Sequence, residues 1–433
     1  MTLHVDSEVG RLKQAILHRP DLELKRLTPT NHDEFLFDDV LWVKQAKLEH
    51  DAFAEALREQ GVRVHLLHEL LMQTLGVPEA RKFVLEQSFD ELVYGPMALS
   101  SLHEAFGQKN SLLSQLATTP GVEVRAFRPV TFLPSVAALK RRNHRKCLVV
   151  DGHTAVVTGR NLGAPYYRGF SEVRLSPLSS YREVPWLDCG AVFDGPLVSE
   201  LERAFAHEWT RAGGDTQVIA PSPATGQLAA RLVLHEGLRD THTFDAQLAL
   251  IRHAERELVI VNNFPLVVEL QRALVAAIAR GVRVRVLIGN VRPHFGDEQA
   301  FAGGTIRSVA DQLVRSRLDA VVLAGGEVYE YALPALPDWD PDLGRVFPHV
   351  HAKLLLRDRK DVAVGSANLD VTAAYWESEA LLIVHDPAFA VGVHEQLEAL
   401  FASSRSLDPG SEKFKSDASQ RAWLARYWPS LIG

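Results

Sequence analysis

NHRKCLVVDGHTAVVTGRN (143–161) returns later in the chain as HVHAKLLLRDRKDVAVGSAN (349–368). His144, Lys146, Asp151 and Asn161 stand at offsets 0, 2, 7 and 17, and His351, Lys353, Asp358 and Asn368 repeat those offsets. One HxKxxxxD match is roughly a one-in-ten-thousand event per window at ordinary residue frequencies. Two copies, each followed by Asn at the same distance, indicate a duplicated unit and one active site built by two related halves. Packing alone has no need for matched His, Lys, Asp and Asn.

The residue types suit phosphoryl chemistry. His and Lys two apart on a strand project from the same face. The apolar residues that follow (CLVV, LLL) suit a buried strand. A second short strand (AVVTG, VAVG) ends near the Asn. Each half thus presents an imidazole, an ammonium and a carboxamide together. Lys and Asn can hold the non-bridging oxygens of a phosphate. Of two facing imidazoles, one can attack phosphorus while the other protonates the leaving oxygen.

These residues resemble the phospholipase D superfamily, whose mark is two HxKxxxxD motifs. HRKCLVVDGHTAVVTGRNLG and VHAKLLLRDRKDVAVGSANLD are similar to the first and second motif regions of bacterial cardiolipin and phosphatidylserine synthase-like members. The resemblance covers about residues 96 to 405. It implies a phosphohistidine intermediate, no cofactor and no metal ion. It also implies a catalytic set of His144, Lys146, Asp151, His351, Lys353 and Asp358, with phosphate held by Asn161, Ser366 and Asn368. His144 is carried over as nucleophile and His351 as general acid, then base; the near symmetry of the halves leaves the reverse open.

The repeat extends past the motifs. WLDCGAVFDGP (186–196) lines up with ESEALLIVHDP (377–387), which puts Asp188 and Glu379 at matching places. In the superfamily an acid here hydrogen-bonds the motif His and fixes its tautomer. That orienting role is carried to Glu379 and Asp188, with Glu172 competing for the place of Asp188.

Upstream of the second motif, ERELVIVNNF and VRVRVLIGN read as strands around the amphipathic helix LVVELQRALVAAIARG, which ends in Gly. Strands alternating with helices indicate α/β architecture with mixed, largely parallel sheets covered on both faces. We expect two pseudo-twofold-related lobes, 96–235 and 236–433, with the site at their interface.

Residues 1 to about 88 instead resemble the amino-terminal part of bacterial arginine deiminases, through SEVGRLKQAILHRP, RLTPTNHDEFLFDDVLWVKQAKLEHDAF and LREQGVRVHLLHELL. Arginine deiminase needs a Cys nucleophile near its carboxyl end. The only cysteines here are Cys147 and Cys189, and Cys147 is expected to be core. The strand–helix–strand pattern of LKQAILHRP, DVLWVKQAKLEHDAFAEALREQG and VRVHLL parallels the second lobe. Residues 1–95 are therefore expected to complete lobe one, with the strand at 12–19 in its sheet. The alternative is a separate appendage.

The 433 residues carry a net charge of −7 and two cysteines. That length can bury two cores, and two cysteines make no disulfide framework. The densest basic cluster, KRRNHRK (140–146), runs straight into the first motif. An acidic chain without a basic stripe disfavours nonspecific nucleic-acid binding. No segment reaches membrane-spanning length and MTLHVDSEVG is no secretory signal, so we expect a cytoplasmic protein, peripheral to a membrane at most. EYALPALPDWDPDLGRVFPHV (330–350) reads either as a connecting loop or as a flap over the site that contacts substrate or a bilayer. The expected substrate is a phospholipid-like phosphodiester with water or an alcohol as acceptor. A nuclease of the same chemistry and a guanidino-ligand binding protein are the alternatives, and oligomeric state is not legible.

Overall fold

The structure, a computed structural model, describes residues 11–20, 43–77, 79–80, 116–128, 141–179, 183–216, 218–224, 226–263, 266–289, 294–295 and 306–432. The stretch RLTPTNHDEFLFDDV (26–40), part of the deiminase-like text, lies outside them. The chain divides into two units, 1–90 and 91–433.

In the first unit β1 (Gln14–Leu17) pairs in parallel with β2 (Arg63–Leu66). Between them runs α1 (Val43–Glu59), and α2 (Leu67–Leu75) follows. The turn after α1 is made by Gly61 at φ +79, a left-handed conformation that a Cβ resists. The expected strand–helix–strand pattern is present. Among the described residues, however, β1 pairs only with β2, and the lobe-one strands form a separate sheet. The expected place of the 12–19 strand in the lobe-one sheet is therefore not seen in that pairing.

In the second unit β3 (Cys147–Val150), β4 (Thr154–Thr158) and β5 (Gly190–Asp194) form an antiparallel sheet, with the short α3 (Ala164–Tyr167) before β5 and α4 (Pro196–Arg211) after it. Next come β6 (Ala229–Glu236), α5 (His242–Arg252), β7 (Glu257–Val261), α6 (Val268–Ala279), β8 (Arg283–Ile288), β9 (His294–Phe295), α7 (Ile306–Leu323) and β10 (Glu327–Glu330). The chain continues through β11 (Val346–Phe347), β12 (Leu354–Arg357), β13 (Asp361–Gly365), α8 (Val371–Tyr375), β14 (Ser378–His385), α9 (Pro387–Ser403), β15 (Arg405–Ser406) and α10 (Glu412–Ile432).

Eight of these strands form one sheet in the order β15-β10-β8-β7-β12-β13-β14-β6. The sheet is mixed, but parallel pairing is confined to β7 with β8 and β8 with β10. The expectation of a largely parallel sheet is corrected here. The motif strands β12, β13 and β14 follow one another too closely for helical crossovers and pair antiparallel. The sheet also takes in β6, most of which falls within the expected lobe-one range of 96–235.

Alternation explains the core. In β7, Leu258 and Ile260 face a cluster shared with helix residues such as Leu250, Leu274 and Leu318. Val259 and Val261 face the opposite cluster, with Leu397 and Phe401 of α9. A strand buried on both faces must be apolar at every position, as ELVIV nearly is. Lobe one packs on the same sheet, where Ala155, Val157, Val198 and Leu201 meet Ala380 and, more peripherally, Leu232 and Leu234. Its first motif strand departs from expectation. Leu148 is 57% exposed and Cys147 is exposed rather than core, whereas Leu355 and Leu356 of β12 are buried. The loop 330–350 is anchored: Trp339, Leu343 and Val346 are buried with Val173, Leu175 and Val184, and the Trp339 indole donates to the Val173 carbonyl at 2.9 Å.

Candidate active site

Two equivalent backbone crossings assemble the site. The His144 amide donates to the Ser378 carbonyl at 2.9 Å, and the Ser378 amide donates to Arg142 at 2.8 Å. The His351 amide donates to Leu187 at 2.8 Å, and the Leu187 amide donates to His349 at 2.9 Å. Asn143 with Ser378 and Leu187 with Val350 thus form matching parallel bridges. Each motif segment lies beside the acidic segment of the other half.

The side chains follow that exchange. His144 Nδ1 lies 2.9 Å from Glu379 Oε1, and His351 Nδ1 lies 2.8 Å from Asp188 Oδ2. All four residues are buried. A carboxylate on Nδ1 holds the proton there and leaves Nε2 as the basic nitrogen. Glu172 sits exposed in a short turn, its amide donating to the Gly169 carbonyl, so it is not the partner of His351.

Lys146 Nζ donates to the His144 carbonyl at 2.8 Å, and Lys353 Nζ donates to the carbonyl of His351 and lies 3.0 Å from its Nδ1. The halves share one electrostatic environment. Burial and then the charge of Lys146 pull the His144 ring down to about 3, and the Lys353 charge adds to this. Burial and Lys353 likewise hold His351 well below the usual imidazole value, with further contributions from Lys146 and His144. Burial lowers Lys146 to about 8 and lowers Lys353, whereas it raises Asp188 and lifts Glu379 to about 8.

Several expected residues take other places. Asp358 lies in the turn after β12, at the opposite end of that strand from Lys353, with φ +53. Its carboxylate accepts the amides of Glu255, Arg256 and Glu257 at 3.0, 2.7 and 2.9 Å. Asp151 occupies the equivalent turn after β3, exposed, with φ +52. Both motif aspartates therefore shape hairpin turns and do not meet the histidines. An Asp tolerates the left-handed region that such turns require. The Ser366 hydroxyl donates to Glu379 Oε2 and accepts from the Ala380 amide at 3.0 Å, so in this structure it supports a carboxylate. Asn161 Nδ2 donates to the Tyr166 hydroxyl at 2.9 Å, and Asn368 Oδ1 is buried with no hydrogen-bond partner among the described residues.

Sequence reading missed the lining of each half. His351 is boxed by rings: Tyr166 at 5.1 Å, Trp186 at 5.9 Å and His349 at 6.0 Å between centroids. His144 instead has a second carboxylate, Glu377 Oε2, 3.8 Å from its Nδ1. The signal was available, because His349 and Glu377 each stand two residues before a site residue, the spacing at which extended chain presents one side. His144, Glu377 and Glu379 offer donor atoms within 4.8 Å of one another, a spacing at which a cation can be held. Lys146 and Lys353 act on the same groups and oppose such an ion, so the set reads as a proton-sharing cluster.

Residues 248–403 match the family model for cardiolipin synthase, PLD-like domain, and residues 33–151 match that for arginine deiminase. The deiminase match runs beyond the expected boundary near 88–95 and through His144. Among solved structures, Nuc of Salmonella typhimurium, a phospholipase D family member, is 19% identical over 42% of this chain and 99% of its own, with a TM-score of 0.30. Phosphatidylserine synthase of Haemophilus influenzae Rd KW20 is 13% identical over 66% and 68%, with a TM-score of 0.44. NucT of Helicobacter pylori is 16% identical over 42% and 100%, with a TM-score of 0.30. By its family matches, the chain is similar to the phospholipase D-like domain of cardiolipin synthase over 248–403 and to arginine deiminase over 33–151.

Proposed function

We propose that the protein is a phosphodiesterase or phosphatidyltransferase of the phospholipase D type, acting on a phospholipid-like phosphodiester. The observation that carries this reading is the reciprocal arrangement of two buried imidazoles, each held at Nδ1 by a carboxylate from the other half, with a lysine beside each. In this reading His144 Nε2 attacks phosphorus, the P–O bond to the leaving group breaks, and His351 supplies the proton to that oxygen. Water or an alcohol then gives its proton to His351 and displaces His144 from phosphorus. The depressed His144 keeps its nitrogen unprotonated for attack. An anionic phosphate between the two lysines offsets the charges that depress His351 and lets that ring carry a proton when substrate is bound. Lys146 and Lys353, with Asn161 and Asn368, stabilise the non-bridging oxygens, and loss of either ammonium should cost about 2–4 kcal/mol in the transition state.

The test offers the full chain mixed phospholipid micelles and single-stranded oligonucleotides at low and moderate salt. Lipid turnover should dominate, since a chain of net charge −7 gains little from phosphate backbones. A covalent intermediate lets alcohols compete with water, so added primary alcohol should divert product from phosphatidic acid to a new phosphodiester. His144→Ala and His351→Ala should each lose several orders of magnitude in rate. Activity should survive a chelator. Salt-sensitive DNA cleavage without lipid turnover would favour a nuclease, and inactivity on both with tight arginine binding would favour a guanidino-ligand protein.

A further inference from the structure

The two halves differ in charge at one equivalent position, which holds Trp186 in one and Glu377 in the other, each two residues before the acid that meets a histidine. Trp186 places a ring against His351 and lies 4.5 Å from His349. Glu377 places a second carboxyl group against the Nδ1 side of His144, the side Glu379 already occupies. Its side chain is 12% exposed. At 3.8 Å the contact is too long for a hydrogen bond but close enough for charge to act. The charged groups facing Glu377 are His144 and Lys146 from the first motif, Glu379 on β14, and Asp370 at the start of α8.

We propose that Glu377 is a positioning residue that divides the work between the two histidines: its carboxylate stabilises the positive charge that the His144 ring acquires when Nε2 bonds phosphorus. The inference rests on the function proposed above. As the Nε2–P bond forms and the P–O bond breaks, His351 gives its proton to the leaving oxygen. The His144 ring keeps its Nδ1 proton and becomes cationic. Glu379 and Glu377 then supply counter-charge on one side of it. His351 cannot be matched in this way, because Trp186 fills the equivalent place. The rings around it suit a group that only ferries a proton. Burial pushes the Glu377 carboxyl up to about 7, while the His144 charge opposes this, so its ionisation responds to what the ring carries.

The experiment compares Glu377→Gln and Glu377→Asp with the parent chain. In the parent, kcat should rise with pH through about 7 as Glu377 ionises. In Glu377→Gln that limb should vanish and kcat should fall on the order of ten- to a hundredfold, with KM little changed. Glu377→Asp should restore the limb in part, which a packing defect would not do. Phosphoryl trapping should mark His144. Without any substrate, the ring signals of His144, observed by NMR and assigned by His144→Ala, should shift through about pH 7 in the parent, whereas in Glu377→Gln that step should be lost and only the response to Glu379, through about 8, should remain. If no phosphodiester is turned over, the proposed function fails while the NMR titration still decides whether Glu377 acts on His144. An unchanged limb and unchanged ring titration in Glu377→Gln would overturn the inference, as would phosphoryl trapped on His351. If Glu377→Gln does not fold, the same two readouts on Glu377→Asp decide it.

Discussion

Gly159 shows how little room the site leaves at the scale of a residue. A Cβ added there would stand 2.4 Å from Asp188 Oδ1. In the other half the equivalent position holds Ser366, whose hydroxyl binds Glu379 instead of crowding it. One carboxylate thus approaches bare backbone and the other rests on a hydroxyl. Gly159→Ala should push Asp188 away from His351 and release its tautomer, lowering kcat on the order of a hundredfold. In an Asp188→Ala background the same change should cost little, because both substitutions act through one contact. Additive losses in that double-mutant cycle would show that Gly159 matters for another reason.

At the scale of an element, the motif hairpin β12–β13 is tied to β7 by Asp358. Its carboxylate takes three successive amides, those of Glu255, Arg256 and Glu257, where β7 begins. Burial would raise Asp358, but these hydrogen bonds, with the Arg357 charge adding to them, keep it below the usual carboxylate value. Asp358→Ala should therefore act on stability: orphaning these amides costs about 1–3 kcal/mol, read as a lower Tm. Specific activity of the folded fraction should stay within a few-fold of the parent. A loss of several orders of magnitude in kcat at full folding would return Asp358 to the chemistry. Asp151, exposed in the equivalent turn, should prove more tolerant still.

At the scale of the whole molecule, joining the lobes gathers carboxyl groups that hold protons longer than in an unfolded chain. Burial lifts Asp370 to about 6, Glu377 to about 7 and Glu379 to about 8. A raised folded pKa contributes stability that is complete below the unfolded value and lost as pH rises through the folded value. The depressed His144 works in the opposite sense, but only between its unfolded value near 6.5 and about 3. Above pH 6.5 His144 no longer opposes the carboxyls, so thermal stability should fall as pH rises toward about 8. Lys146, lowered to about 8, reverses the trend above it. Unfolding scans from pH 6 to 9 should show the decline, and Glu377→Gln should make it shallower. A Tm that rises steadily from 6.5 to 8 would contradict the proton-sharing cluster.

The chain itself determined which chemistry is possible: paired HxKxxxxD motifs, matched asparagines and an acid at equivalent places in each half are visible in the order of residues. Local periodicity also set the strands and helices of the second lobe, because a strand buried on both faces must be apolar throughout, as ELVIV nearly is. What periodicity cannot record is which distant segment comes to lie beside a given face. His351 meets Asp188 across 163 residues and His144 meets Glu379 across 235, and only the folded arrangement of lobes decided those exchanges. The same applies to the motif aspartates, whose spacing looked catalytic but whose backbone, at positive φ, belongs to turns. It applies also to Ser366 and Glu377, whose contacts with Glu379 and His144 are not written in their neighbours in sequence. A side chain's face follows from local geometry, whereas its hydrogen-bond partner and its degree of burial follow from tertiary packing, and those two quantities set the charge of this site.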